Sequence, residues 1–114
     1  MKISRDTDAL GEHMVISLAG DFDLGAASSV RSAFAQILTD GWERVYVDVS
    51  EVTFADSVAL GLLIGLQRRC TERGGAATLI APGPELRKLI SLSGLDQVLP
   101  SSPSVEAAVA GVAS

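Results

Sequence analysis

Cysteine and histidine are almost missing from this 114-residue chain, which holds Cys70 and His13 and no other residue of either kind. A lone thiol cannot close an internal disulfide, and with a lone imidazole it cannot complete a four-ligand zinc site. No metal is expected, and the setting that suits such a chain is the reducing cytoplasm. Positive charge is scarce as well: nine Lys and Arg against 14 Asp and Glu leave a net charge of −5, which repels a phosphate backbone. Nucleic acid is therefore not expected as a partner. Apolar runs stop well short of the roughly 20 residues of a membrane span, and the opening MKISRDTDALGEH lacks a signal-peptide core. A soluble domain with no membrane partner is expected. GGAATL and APGPEL have neither the GxGxxG nor the P-loop spacing of a nucleotide site, so no cofactor is expected.

What the chain has is apolar periodicity. Hydrophobic residues make up 47% of it and charged residues 20%, enough for one core in one domain over residues 1–114. HMVISLAG, residues 13–20, alternates with Met14, Ile16 and Leu18 on one side, the period of a half-buried strand. MKISR is placed to pair with it through the turn-like DALGE, residues 8–12. From Leu24 the period turns helical, through Ala27, Val30, Phe34, Ile37 and Leu38, until Asp40-Gly41 stops it. RVYVDVS, residues 44–50, reads as a strand entering the core through Val45, Val47 and Val49. A second helix is predicted from Ser57 to Arg73, ended by Gly74-Gly75, and AATLIA, residues 76–81, suits a buried parallel strand. Pro84 opens a third helix with Leu86, Leu89 and Ile90 on one face, and Gly94 closes it. QVL, residues 97–99, is expected as a last short strand. Ser102 and Pro103 then cap and begin a C-terminal helix carrying Val105, Ala108, Val109 and Val112. The order β-β-α-β-α-β-α-β-α predicts an α/β fold with a mixed, mostly parallel sheet and right-handed crossovers.

The segment FADSVALG, residues 54–61, sets an acid and a hydroxyl between two apolar runs. Either Asp56 or Ser57 can cap the helix that starts there, and a hydroxyl at an exposed helix start also suits phosphorylation, so two compatible roles stand. A nucleophile is not expected. The hydrolase elbow has glycines two residues either side of the serine, where this chain has Ala55 and Ala59, and His13 has no evident route to Ser57. The chain is therefore expected not to be an enzyme. At 100° per residue, Ser57, Gly61 and Gly65 share a helix face with Leu60 and Ile64 beside them, opposite Ala59, Leu62, Leu63, Leu66 and Cys70. The second face is expected on the sheet, leaving the first outward. Its mid-helix glycines serve either a docking partner or close packing within the domain. Asp21 and Asp23 in GDFDL read by themselves as helix-capping or solvated turn residues, and Cys70 reads as a core thiol.

Taken together, GDFDL, VYVDVSEVTFADSVALGLLIGL and RGGAATLIAPGPELRKLISLSGLDQVLP resemble the STAS domain of anti-sigma-factor antagonists over nearly the entire chain. The resemblance implies a mixed sheet with helices packed mainly on one side. It also implies regulatory phosphorylation at Ser57, with Asp56 before it. With the outward helix face read above, the expected docking surface is Asp23, Asp56, Ser57, Leu60, Gly61, Ile64 and Gly65. The implied partners are an anti-sigma factor with serine kinase activity, whose capture frees a sigma factor, and a resetting serine phosphatase. Where the family usually follows the serine with Ser or Thr and then Gly, this chain has Val58 and Ala59, so one hydroxyl remains at the turn. The same fold serves in transporter tails and in lipid-trafficking complexes of the bacterial envelope. The alternative is accordingly a STAS adaptor subunit that is not phosphorylated.

Overall fold

A computed structural model describes residues 1–7 and 11–111. Strands β1 (Lys2–Thr7) and β2 (Met14–Phe22) form an antiparallel pair, and residues 8–10 of the expected turn lie outside the described residues. A 3-10 turn at Leu24–Ala26 leads into α1 (Ala27–Thr39), then β3 (Arg44–Ala55), α2 (Ser57–Glu72), β4 (Ala76–Ile80) and α3 (Pro84–Leu92). The chain then forms β5 (Ser101–Ser102) and α4 (Val105–Val109). The sheet runs β1-β2-β3-β4-β5, antiparallel at the first pair and parallel at the rest. This is the α/β order that the sequence predicts.

Alternation decides which side is packed. Met14, Ile16 and Leu18 of β2, Val45, Val47 and Val49 of β3, and Ala77 and Leu79 of β4 point to one face. That face shares a single apolar core with Val30, Phe34 and Ile37 of α1, Leu63 and Leu66 of α2, and Leu86 and Ile90 of α3. Three helices therefore cover one side of the sheet, as successive right-handed crossovers in one direction require. Cys70 lies fully buried in this core, where burial pushes its thiol pKa up and keeps it neutral. The helix ends follow local chemistry. Gly41 and Gly74, just past α1 and α2, take left-handed φ angles of 93° and 86°. Gly75 must be glycine for a different reason: a Cβ there would collide with the backbone of Glu43.

Two C-terminal assignments differ from the expectation. Residues 97–99 form no strand, because the chain after α3 keeps winding: Val98 and Leu99 both donate to the Leu95 carbonyl, at 3.0 Å. Backbone groups spent locally cannot pair with β4. The partner of β4 is instead the next segment, where Leu79 donates to Pro100 and Ala81 to Ser102, each at 2.9 Å. Ser102 is consequently a buried strand residue rather than a cap, and Ser104 caps α4 by accepting from the Ala107 amide at 3.0 Å. Val112 lies outside the described residues.

Candidate functional site

The carboxyl ends of β2 and β3 carry the polar residues singled out above, the end of a parallel sheet where ligands and partners commonly meet a fold. β3 reaches this end through two irregularities. Its register against β2 steps by one extra residue between Ser17 and Ala19, and again between Gly20 and Asp21. Each bulge has a polar clasp: Asp48 accepts from the Ser50 amide and hydroxyl, at 3.0 and 2.7 Å, and Asp21 accepts from the Thr53 hydroxyl at 2.7 Å. Asp21 is thus neither a cap nor free in a turn; it fixes the second bulge.

Beyond the bulges Phe22 pairs with Ala55, so Asp23 and Asp56 leave adjacent strands side by side. The Asp56 amide donates to the Phe22 carbonyl at 3.4 Å, which ties the start of α2 to the end of β2. Asp56 is extended, and its Oδ1 accepts from the Val58 and Ala59 amides at 3.0 and 3.1 Å. The cap of α2 is therefore Asp56. Ser57 occupies the first helical position, is exposed, and its hydroxyl makes no hydrogen bond among the described residues. Asp23 precedes the 3-10 turn, and its side chain makes no capping bond there.

Leu60, expected on the outward face, is only 5% exposed and belongs to the core. Ile64 is half-buried against that core, while Gly61 is exposed and Gly65 half-buried. The helix is turned by roughly half of one 100° residue step from the expected orientation. Gln67 is the cause. This polar residue is buried on the core side, accepting from the Ala77 amide and donating to the Val98 carbonyl at 3.0 Å. It draws its helical neighbour Leu60 inward and leaves Leu62 half-buried on the flank. Ala59 is fully buried, so its methyl group adds to the core and not to the surface around Ser57.

The structure brings Asp23, Asp56 and Ser57 together, with Gly61 and Gly65 continuing along α2, and it removes Leu60 from that surface. It adds two residues that periodicity did not mark. Leu24 is 73% exposed and Phe54 48% exposed, and they flank the strand ends next to Asp23 and Asp56. Strict alternation from Phe22 sends Leu24 inward, but the chain leaves the strand at Asp23, and Phe54 follows the second bulge. His13 is far away: it precedes Met14, which pairs with Val45 at the opposite end of β3. No helix among the described residues is long and apolar enough to cross a membrane.

Comparison with known proteins agrees with this geometry. A STAS-domain containing protein of Pseudomonas aeruginosa is 31% identical over 98 residues, covering 86% of this chain and 96% of its relative. An anti-sigma factor antagonist from Mycobacterium paratuberculosis superposes with a TM-score of 0.83 at 27% identity, covering 97% of this chain and 94% of the other. The Bacillus cell fate determinant SpoIIAA, solved in its phosphorylated form, gives a TM-score of 0.74 at 25% identity over 97% of this chain and 99% of its own. The family described as Mlab, STAS domain, matches residues 6–100. That match runs from within β1 to the residue before β5, and the chain belongs to the STAS domain family.

Proposed function

We propose that this chain is an anti-sigma-factor antagonist, a partner switch that binds an anti-sigma factor and releases it when Ser57 is phosphorylated. The observation that carries the reading is the division of roles at the start of α2. Asp56 takes the capping bonds, and the neighbouring Ser57 hydroxyl stays exposed and unbonded, at the end of the sheet that also carries exposed Leu24 and Phe54. Exposed apolar side chains and an unbonded hydroxyl at one end of the sheet suit a partner that is both docked and controlled there. Phosphate adds about −1.5 to −2 charges. The Asp56 carboxylate already holds the Val58 and Ala59 amides, so that charge is directed outward, toward whatever covers that end of the sheet. The partner on this reading is a cytoplasmic anti-sigma factor with serine kinase activity, a serine phosphatase resets the switch, and the chain itself catalyses nothing. Incubation with an anti-sigma factor kinase and ATP, followed by mass spectrometry, tests it: one phosphate at Ser57 is expected, and none in Ser57→Ala. Phosphate at another residue, or at none, overturns the assignment.

Val58 favours a second reading, because the turn carries one hydroxyl instead of two. In it, the same surface is a constitutive contact of a STAS adaptor subunit. A stable complex with a partner that leaves Ser57 unmodified in the presence of ATP distinguishes this reading from the first.

A further inference from the structure

We propose that the groove between α1 and α2, which opens at the Gly61 and Gly65 face of α2, receives an acidic amphipathic helix of a partner protein. The groove is a hollow of about 290 Å³ between Arg31 on α1 and Gly61, Gly65 and Arg68 on α2, floored by Phe34 and Leu66. A second hollow shares Ala35, Leu38, Arg69 and Glu72 with it and continues the groove to the end of α2. From Gly61 to Glu72 the groove follows α2 for about 16 Å at 1.5 Å per residue, room for three turns of a docked helix.

Charge selects the occupant. Arg31, Arg68 and Arg69 line the groove against the single acid Glu72, and none of the three has an ion pair among the described residues. Three of the nine basic residues thus converge on one groove of a chain whose net charge is −5. The local field is opposite in sign to that of the molecule, so carboxylates are drawn there specifically. The glycines open the way. A Cβ at Gly61 or Gly65 would meet nothing within 4 Å, so the fold does not require glycine at either place, although each costs about 1 kcal/mol against alanine in mid-helix. Without those methyl groups a helix can approach α2 closely, setting an apolar stripe on Leu62 and Leu66 and acidic flanks on the arginines. An extended peptide would leave its own backbone groups unpaired between two helices.

The probe is a 16-residue helical peptide with Leu on one face and Glu on its flanks, titrated into the 15N-labelled full chain, with a twin carrying Lys for each Glu. The Glu peptide is expected to shift the amides of Arg31, Gly61, Gly65 and Arg68, and to bind more weakly as salt rises. Affinity should fall at least tenfold in the Arg68→Glu, Arg69→Glu double variant, and saturable binding should vanish in Gly65→Leu. Circular dichroism of both variants should match the parent, since Arg68 and Arg69 are exposed and a Cβ at Gly65 meets nothing within 4 Å. Ser57→Ala, which changes no charge, should bind the peptide normally, and loss of the Ser57 assignment leaves these results in place. Equal binding of the Lys twin, shifts centred on Leu24 and Phe54, no binding, or capture of phosphatidylglycerol vesicles in place of the peptide overturns the proposal.

Discussion

Asp56 and Ser57 are adjacent in the chain and opposite in role. The Asp56 carboxylate holds two amides of the first turn of α2, whereas the Ser57 hydroxyl holds nothing among the described residues. Asp56→Ala is accordingly expected to lower stability by about 1 kcal/mol, the usual cost of losing a cap, while Ser57→Ala stays within a few tenths of the parent. Urea denaturation of the two variants checks this, and equal losses would mean that Ser57 shares the capping. Sequence reasoning reaches the pair of candidate caps but cannot choose between them, because both side chains have the right chemistry and the choice rests on one residue of helix phase. Gln67 was illegible for a related reason. A glutamine between Leu66 and Arg68 looks solvated, and its burial depends on an amide of β4 and a carbonyl after α3, groups that local periodicity cannot see.

At the scale of elements, patterns of period 2 and 3.6 carry most of the fold. Val45, Val47 and Val49 are core residues as the alternation predicts, and Pro84 and Gly94 bracket α3 as their backbone preferences require. What periodicity misses are the bulges, since an extra residue in β3 has no local signature until its clasp across the sheet is known. The orientation of α2 is the consequential error, and it changes a variant from a probe of binding into a probe of stability. Leu60→Ala is expected to cost about 2–5 kcal/mol as a core truncation. A loss below about 0.5 kcal/mol, the range of ordinary surface substitutions, would put Leu60 back on the outer face. Between β1 and α1, Arg5 donates to Asp40 at 2.9 Å. The Arg5 guanidinium, joined by the Gln36 amide, holds the Asp40 carboxyl below its usual pKa. A lowered folded-state pKa contributes stability above the unfolded-state value and loses it as the pH falls through the folded one. Asp40→Asn should therefore flatten the acid side of the stability profile and leave its shape at neutral pH unchanged; an identical acid limb would show that the contact does not persist in solution.

For the whole molecule, the carboxyl strand ends and the outer side of α2 both lie outside the packed core, where a partner can reach them. Leu24, Phe54 and Ser57 are all exposed near the ends of β2 and β3, where the two bulges and the Asp56 cap shape the chain, so added charge at Ser57 falls at the end of the sheet that also carries exposed apolar side chains. A phosphate placed on Ser57 would find no free first-turn amide at Val58 or Ala59, and would stand beside two carboxylates, Asp23 and Asp56, at the ends of adjacent strands. Desolvating that cluster against a partner opposes association, while the fold, whose core is remote from it, is unaffected. A loss of only about 1.4 kcal/mol is tenfold in affinity, enough to redistribute an anti-sigma factor between two competitors. The decisive measurement is calorimetric titration of an anti-sigma factor kinase with the unmodified chain and with the chain phosphorylated at Ser57. At least tenfold weaker binding by the phosphorylated form, with unchanged circular dichroism, is the expected result; equal affinity of the two forms would contradict the switch.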